Sequence, residues 1–151
     1  MNPSSDTPKR GAVIGCGYFA ENHIRAWREL SGVTITAVCD TVEEKAHAFG
    51  EKFAVPKVFA GLDALLEREQ PDFIDIVTGP ESHLELVETA ALHKMPVICQ
   101  KPMAPTLRDG SFMVDACRHA DIPFMVHENF RWQTPLRAVK IEAADIGEIV
   151  F

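Results

Sequence analysis

The chain has 151 residues, 46% of them hydrophobic and 25% charged, with a formal net charge of −7. That is one domain's worth of ordinary globular sequence, long enough to bury a core. The acidic balance argues against a nucleic-acid partner, no apolar run is long enough to span a bilayer, and the polar start MNPSSDTPKR lacks the apolar segment of a secretory signal.

Residues 1–9 read as a disordered polar tail. Gly11–Ile14 is a predicted strand and Tyr18–Leu30 a helix. Val33–Cys39 is a β-branched strand and Val42–Phe53 a helix. Lys57–Phe59 is a short strand, followed by a helix over Leu62–Glu69 that ends at Gln70–Pro71. Phe73–Val77 is a strand and Glu81–His93 a helix, with Pro80 at its first turn. On that helix Leu84, Val87 and Ala91 face inward, and Glu85 and Glu88 outward. Pro96–Cys99 is a strand, Leu107–His119 a helix, Phe124–Val126 a sixth strand, and about Pro135–Ala144 a last helix before Gly147. Strands alternating with helices imply βαβ units: an α/β, doubly wound parallel sheet of six strands, in the Rossmann arrangement.

The first strand ends in Gly15, Gly17 and Ala20, the G-x-G-x-x-G/A spacing of a strand turning into a helix. Gly15 permits a tight turn, Gly17 removes the side chain between backbone and ligand, and Ala20 lets the helix lie close on the strand. The amides along Gly15, Gly17, Tyr18, Phe19 and Ala20 then face an anion with the positive end of the helix behind them. The pattern proposes a dinucleotide. The second strand stops at Asp40, where an acid accepts hydrogen bonds from the adenosine ribose. Its charge repels a 2′-phosphate, and Thr41 and Val42 bring no Arg to reverse that, so NAD is favoured over NADP. Asp40 is also a candidate N-cap for the helix that follows, and both roles can hold together.

The four cysteines (Cys16, Cys39, Cys99, Cys117) form no C-x-x-C pair, and three sit in apolar strand or strand-end contexts. Reduced, buried thiols in a cytoplasmic protein are expected, with Cys16 exposed inside the glycine turn. The six histidines lack H-x-x-x-H and H-E-x-x-H spacing, so no metal site is expected. In an open parallel sheet, ligands bind beyond the carboxyl ends of the strands. Those ends are Gly15–Phe19, Asp40–Thr41, Thr78–Gly79–Pro80, Gln100–Lys101–Pro102 and His127–Glu128–Asn129. His127 reads as lining a strand end rather than as a base.

Five stretches carry a family resemblance: GCGYFAENH (Gly15–His23), VCD (Val38–Asp40), TGPESH (Thr78–His83), ALHKMPVICQKPMAPT (Ala91–Thr106) and ENFRW (Glu128–Trp132). They resemble the N-terminal NAD(P)-binding domain of the glucose–fructose oxidoreductase, inositol dehydrogenase and rhizopine-catabolism family. The resemblance implies a two-domain oxidoreductase acting on sugars, polyols and related small molecules, with the second domain completing the substrate site and usually making a dimer. It implies that Lys101 is the catalytic Lys contacting the reacting hydroxyl. Thr78, Pro80 and His83 would lie near the cofactor with Gln100 and Lys101, and Asn129 and Arg131 beside the nicotinamide. A Lys at a strand end can stabilise negative charge developing on the substrate oxygen. His83 reads equally well as an exposed residue of the first helical turn, and Arg131 and Trp132 as loop packing.

The chain departs from the family twice. Gln100 stands where the family usually has Glu; a carboxylate there would hold Lys101 charged through an ion pair, whereas the amide keeps only a hydrogen-bonding site. The final GEIVF (residues 147–151) looks like the opening strand of the second domain, which would hold the family's D-x-x-x-H pair. Residues 10–146 would then be the dinucleotide-binding domain, binding nucleotide without efficient turnover. Asp115 and His119 have the D-x-x-x-H spacing but sit on a helix away from the strand ends. Apolar surface near Phe130 and Trp132, and over residues 149–151, makes a homo-oligomer an expectation. Two alternatives stand: a non-catalytic dinucleotide-binding regulator, and an S-adenosylmethionine methyltransferase. The latter usually carries an acid just before its first glycine, where this chain has Val13 and Ile14.

Overall fold

The computed structural model describes residues 7–143. The sheet is six-stranded and, through its ladders, parallel throughout. The strands are β1 (Lys9–Ile14), β2 (Val33–Cys39), β3 (Lys57–Phe59), β4 (Phe73–Ile76), β5 (Val97–Gln100) and β6 (Phe124–His127), in spatial order β3-β2-β1-β4-β5-β6. The helices are α1 (Ala20–Arg28), α2 (Glu43–Lys52), α3 (Leu62–Glu69), α4 (His83–Leu92), α5 (Leu107–Ala120) and α6 (Thr134–Glu142). This is the doubly wound α/β order expected from the alternation of strand and helix signals. The expected tail (residues 1–9) and terminal strand (residues 147–151) lie largely outside the described residues; β1 itself begins at Lys9.

The period-two alternation of the strands sorts their side chains into two cores. Ala12, Ile14, Ala37, Cys39, Ile74 and Ile76 point to one face, where Leu65, Leu66, Val87, Ala90, Met113 and Cys117 of α3, α4 and α5 cover them. Val13 and Val38 point to the other, against Ala20, Ile24, Ala46 and Phe49 of α1 and α2. Fully buried Ile24 alone contributes about 1.5–3 kcal/mol of apolar transfer free energy. Because α1 and α2 serve the β1–β3 half, their face of the sheet is open over β4–β6 among the described residues. A groove of about 630 Å³ runs there, with Trp27, Asp75, Ile98, Met125, His127 and Asn129 in its wall.

Local chemistry moves several boundaries. Pro80 opens a 3-10 turn over Pro80–Ser82, so the regular helix starts only at His83. The Thr106 hydroxyl accepts the Asp109 amide at 3.1 Å and donates to Asp109 Oδ2 at 2.7 Å, which sets the start of α5. Helices α3 and α5 stop at Gln70 and Asp121, with φ of 45° and 55°. α6 keeps Leu136, Val139 and Ile141 exposed.

Candidate functional site

The strand order reverses between β1 and β4, and the loops leaving those strands part to opposite faces. Gly15 turns the chain there with φ of +97°, and its amide donates to the Cys39 carbonyl at 2.7 Å. A Cβ on Gly15 would sit 2.8 Å from the Val77 carbonyl oxygen and 2.9 Å from Thr78 Cγ2. The two loops therefore touch across the crevice, and only glycine fits. Gly17 is the opposite case: a Cβ there would meet nothing within 4 Å. Ala20 is fully buried, Tyr18 is 89% exposed, and Phe19 precedes α1 without capping it by a side chain. The positive helix end is left for an anion.

Asp40 leaves β2 beside this turn. Its Oδ2 accepts the Cys16 main-chain N–H at 2.8 Å, and its Oδ1 accepts that of Val42 at 2.9 Å. The second bond is an Asx turn. The N-cap of α2 is Val42, so Asp40 shapes the approach to the helix rather than capping it. The Cys16 thiol is buried, contrary to expectation. Burial, with Asp40 and Cys39 adding to it, pushes its pKa up to about 12. It is no nucleophile.

At the end of β4, Thr78 Oγ1 and Ser82 Oγ are hydrogen-bonded at 2.8 Å, and Pro80 begins the 3-10 turn. His83 is fully buried. Its Nδ1 lies 3.0 Å from the Met103 carbonyl and its Nε2 3.2 Å from that of Thr78. One ring thus sits between the loop after β4 and the loop after β5, and with one N–H it donates to one of those carbonyls at a time. The reading of His83 as an exposed first-turn residue fails because the 3-10 turn rotates it inward.

Gln100 ends β5 and is 5% exposed. Its Oε1 accepts the Lys101 main-chain N–H at 2.7 Å, and its Nε2 lies 2.9 Å from His23 Nε2. The hydrogen-bonding site that the amide keeps is spent on the Lys101 backbone. The ammonium instead lies 5.6 Å from the centre of the Phe130 ring, and the Lys101–Pro102 peptide is cis. Asn129 caps the 3-10 turn Phe130–Trp132, with its Oδ1 buried and unpartnered. Arg131 lies within that turn, its side chain outside the described residues. Asp115 and His119 are exposed on α5, and Asp115 pairs with Arg118 at 2.8 Å, remote from the crevice.

Sequence reasoning passed over a polar cluster beneath this site. Asp75, in the middle of β4, is fully buried and accepts the Trp27 indole N–H at 2.7 Å. The same Oδ2 lies 2.8 Å from His23 Nδ1, while Oδ1 has no partner. The His127 ring is 4.5 Å from that of His23. Burial, then His23, pulls the His127 pKa below its usual value. The available signal was a lone acid inside the apolar run FIDIV: a buried carboxylate demands partners. Among the described residues, no cluster of three or more His, Cys, Asp or Glu could hold a metal ion.

The β1 exit thus combines an open approach at Gly17, an α1 N-terminus without a side-chain cap and the Asp40 carboxylate held on the Cys16 amide, at the point where the strand order reverses. That makes the fold a dinucleotide-binding domain of the Rossmann class. The family described as "Oxidoreductase family, NAD-binding Rossmann fold" (GFO_IDH_MocA) matches residues 9–128, and the chain belongs to it. A D-apiose dehydrogenase from Rhizobium rhizogenes is 48% identical over 94% of this chain and 42% of its own. A myo-inositol 2-dehydrogenase from Thermotoga maritima is 27% identical over 93% of this chain and 42% of its own. Among solved structures, an oxidoreductase from Agrobacterium radiobacter in complex with NAD+, L-tartaric acid and magnesium superposes with a TM-score of 0.89. It is 48% identical and covers 94% of this chain and 42% of its own. The 151 residues thus span about two fifths of the length of the relatives they match.

Proposed function

We propose that this chain is the cofactor-holding part of a dehydrogenase that moves hydride between NAD and a CH–OH carbon of a sugar, polyol or related small molecule. The observation that carries the reading is the open space at Gly17, where a Cβ would meet nothing within 4 Å, at the exit of β1 beside Asp40. The amides of Gly15, Gly17, Tyr18, Phe19 and Ala20 cradle the diphosphate, and Asp40 accepts from the ribose hydroxyls. The Asp40 charge favours NAD over NADP. Lys101, just after β5, would hydrogen-bond the substrate oxygen and stabilise the negative charge that develops on it. NAD supplies the two-electron acceptor. Thr78, Pro80 and His83 shape the wall between the two loops, Gln100 holds the Lys101 amide, and Asn129 and Arg131 flank the nicotinamide end. The relatives support the substrate class: one is named a D-apiose dehydrogenase and another a myo-inositol 2-dehydrogenase.

On this reading the described residues from 10 onward belong to the cofactor domain. Four free, buried cysteines support a reducing, cytoplasmic setting. The exposed Leu136, Val139 and Ile141 of α6 support self-association. The test is calorimetry with NAD, NADH, NADP and S-adenosylmethionine beside amide chemical shifts. Binding of NAD or NADH that moves the Gly15, Gly17 and Asp40 amides is expected. Amides unmoved at millimolar nucleotide overturn the reading.

A further inference from the structure

We infer that Asp75 and His23 are positioning residues for Lys101, acting through the Gln100 amide as a one-directional chain of hydrogen bonds. The inference rests on the role given to Lys101 above, but the chain of bonds is a property of the protein alone.

The direction follows from one fixed donor. The Lys101 main-chain N–H can only donate, so the Gln100 atom 2.7 Å away must be the oxygen. The Gln100 NH2 therefore faces His23, whose Nε2 at 2.9 Å must offer a lone pair. The His23 proton then sits on Nδ1 and is donated to Asp75 Oδ2 at 2.8 Å. Trp27 Nε1–H closes the far end on the same oxygen at 2.7 Å. Asp75, His23 and Gln100 are at most 6% exposed, so water does not compete for these bonds. The chain runs from the interior of β4, across α1, to the first residue after β5. It fixes the peptide plane at Lys101, and with it the direction in which that side chain leaves the sheet.

The amide at position 100 decides the protonation of His23. A carboxylate in its place keeps an oxygen for the Lys101 N–H and turns its other oxygen to His23 Nε2, which then needs a proton. The titratable groups that face this ring are Asp75 on β4 and His127 on β6, and Lys101 and Glu128 act in turn on His127.

The experiment is nitrogen-15 NMR of the His23 ring and the Lys101 amide in the full 151-residue chain without nucleotide. In the native protein, a protonated Nδ1 and a bare Nε2 are expected, with the Lys101 amide proton shifted downfield. Gln100→Glu moves Nε2 to the protonated range and leaves the Lys101 amide hydrogen-bonded. Gln100→Met removes the acceptor, and the Lys101 amide proton moves upfield. A protonated Nε2 in the native chain, or a bare one in Gln100→Glu, overturns the inference. If neither variant folds, the native tautomer decides by itself. A correct tautomer in a chain that ignores NAD overturns the functional reading and leaves the relay standing; the reverse result overturns the relay alone.

Discussion

The Cys16 amide and the Asp40 carboxylate hold each other at 2.8 Å. The turn that would receive a diphosphate and the acid that would receive a ribose are therefore locked together before any ligand arrives. Preorganisation of this kind lowers the ordering cost of binding. Asp40→Asn keeps one acceptor but gives up the charge. NAD affinity should fall about 5–30-fold, the equivalent of one to two kcal/mol. The preference for NAD over NADP should shrink as the repulsion of a 2′-phosphate disappears. Calorimetry with both nucleotides measures the two effects, and an unchanged preference would remove Asp40 from the ribose.

The two glycines of the turn should separate folding from binding. Gly15→Ala places a Cβ 2.8 Å from the Val77 carbonyl at a φ of +97°, so urea denaturation should show a loss of about 1–3 kcal/mol or more. Gly17→Ala meets open space and should change stability by less than about 0.5 kcal/mol. It should nevertheless weaken NAD binding about tenfold, because the methyl occupies the diphosphate's approach. Equal NAD affinity in Gly17→Ala and the native chain would contradict the cradle.

The thiols should be silent in the folded protein. Burial raises the pKa of Cys16 and Cys99 to about 12 and of Cys39 to about 11, and raises that of Cys117. Alkylation at neutral pH should therefore follow unfolding, with all four reacting at once in urea. A pKa raised in the fold means the folded state holds these protons more tightly than the unfolded chain does. The stability this provides is complete below the ordinary value of 9.0 and drains away as pH climbs toward 11 and 12. Denaturant midpoints flat across that alkaline range would refute the burial argument.

His127 predicts the acid side. Burial, then His23, depresses its pKa from 6.5, while Asp75 and Glu128 pull the other way. The unfolded chain thus takes up a proton that the folded ring resists, and stability should decline as pH falls through 6.5. His127→Gln should flatten that decline. Urea midpoints on either side of 6.5 in both proteins provide the check.

Much of the architecture was legible because each element announces itself over several residues. The β-branched run Val33–Cys39 and the helix Leu62–Glu69 appear with the bounds read from their pattern. Gly15 and Gly17 were legible too, since close backbone approach leaves a mark at fixed spacing. His23 and Asp75 were not: they are far apart in sequence, and each is unremarkable until folding brings them to 2.8 Å. The inward turn of His83 depends on a 3-10 turn, set by Pro80 and the Thr78–Ser82 hydrogen bond, that periodicity does not register. Gln100 was noticed for the charge it lacks, but its partner is a main-chain amide, which sequence does not display.

The His83 ring sits between the Thr78 and Met103 carbonyls, 3.2 and 3.0 Å from its two nitrogens. An imidazole with one N–H can latch only one of those two lips at a time, so the tautomer of a single buried ring selects which loop it is fastened to.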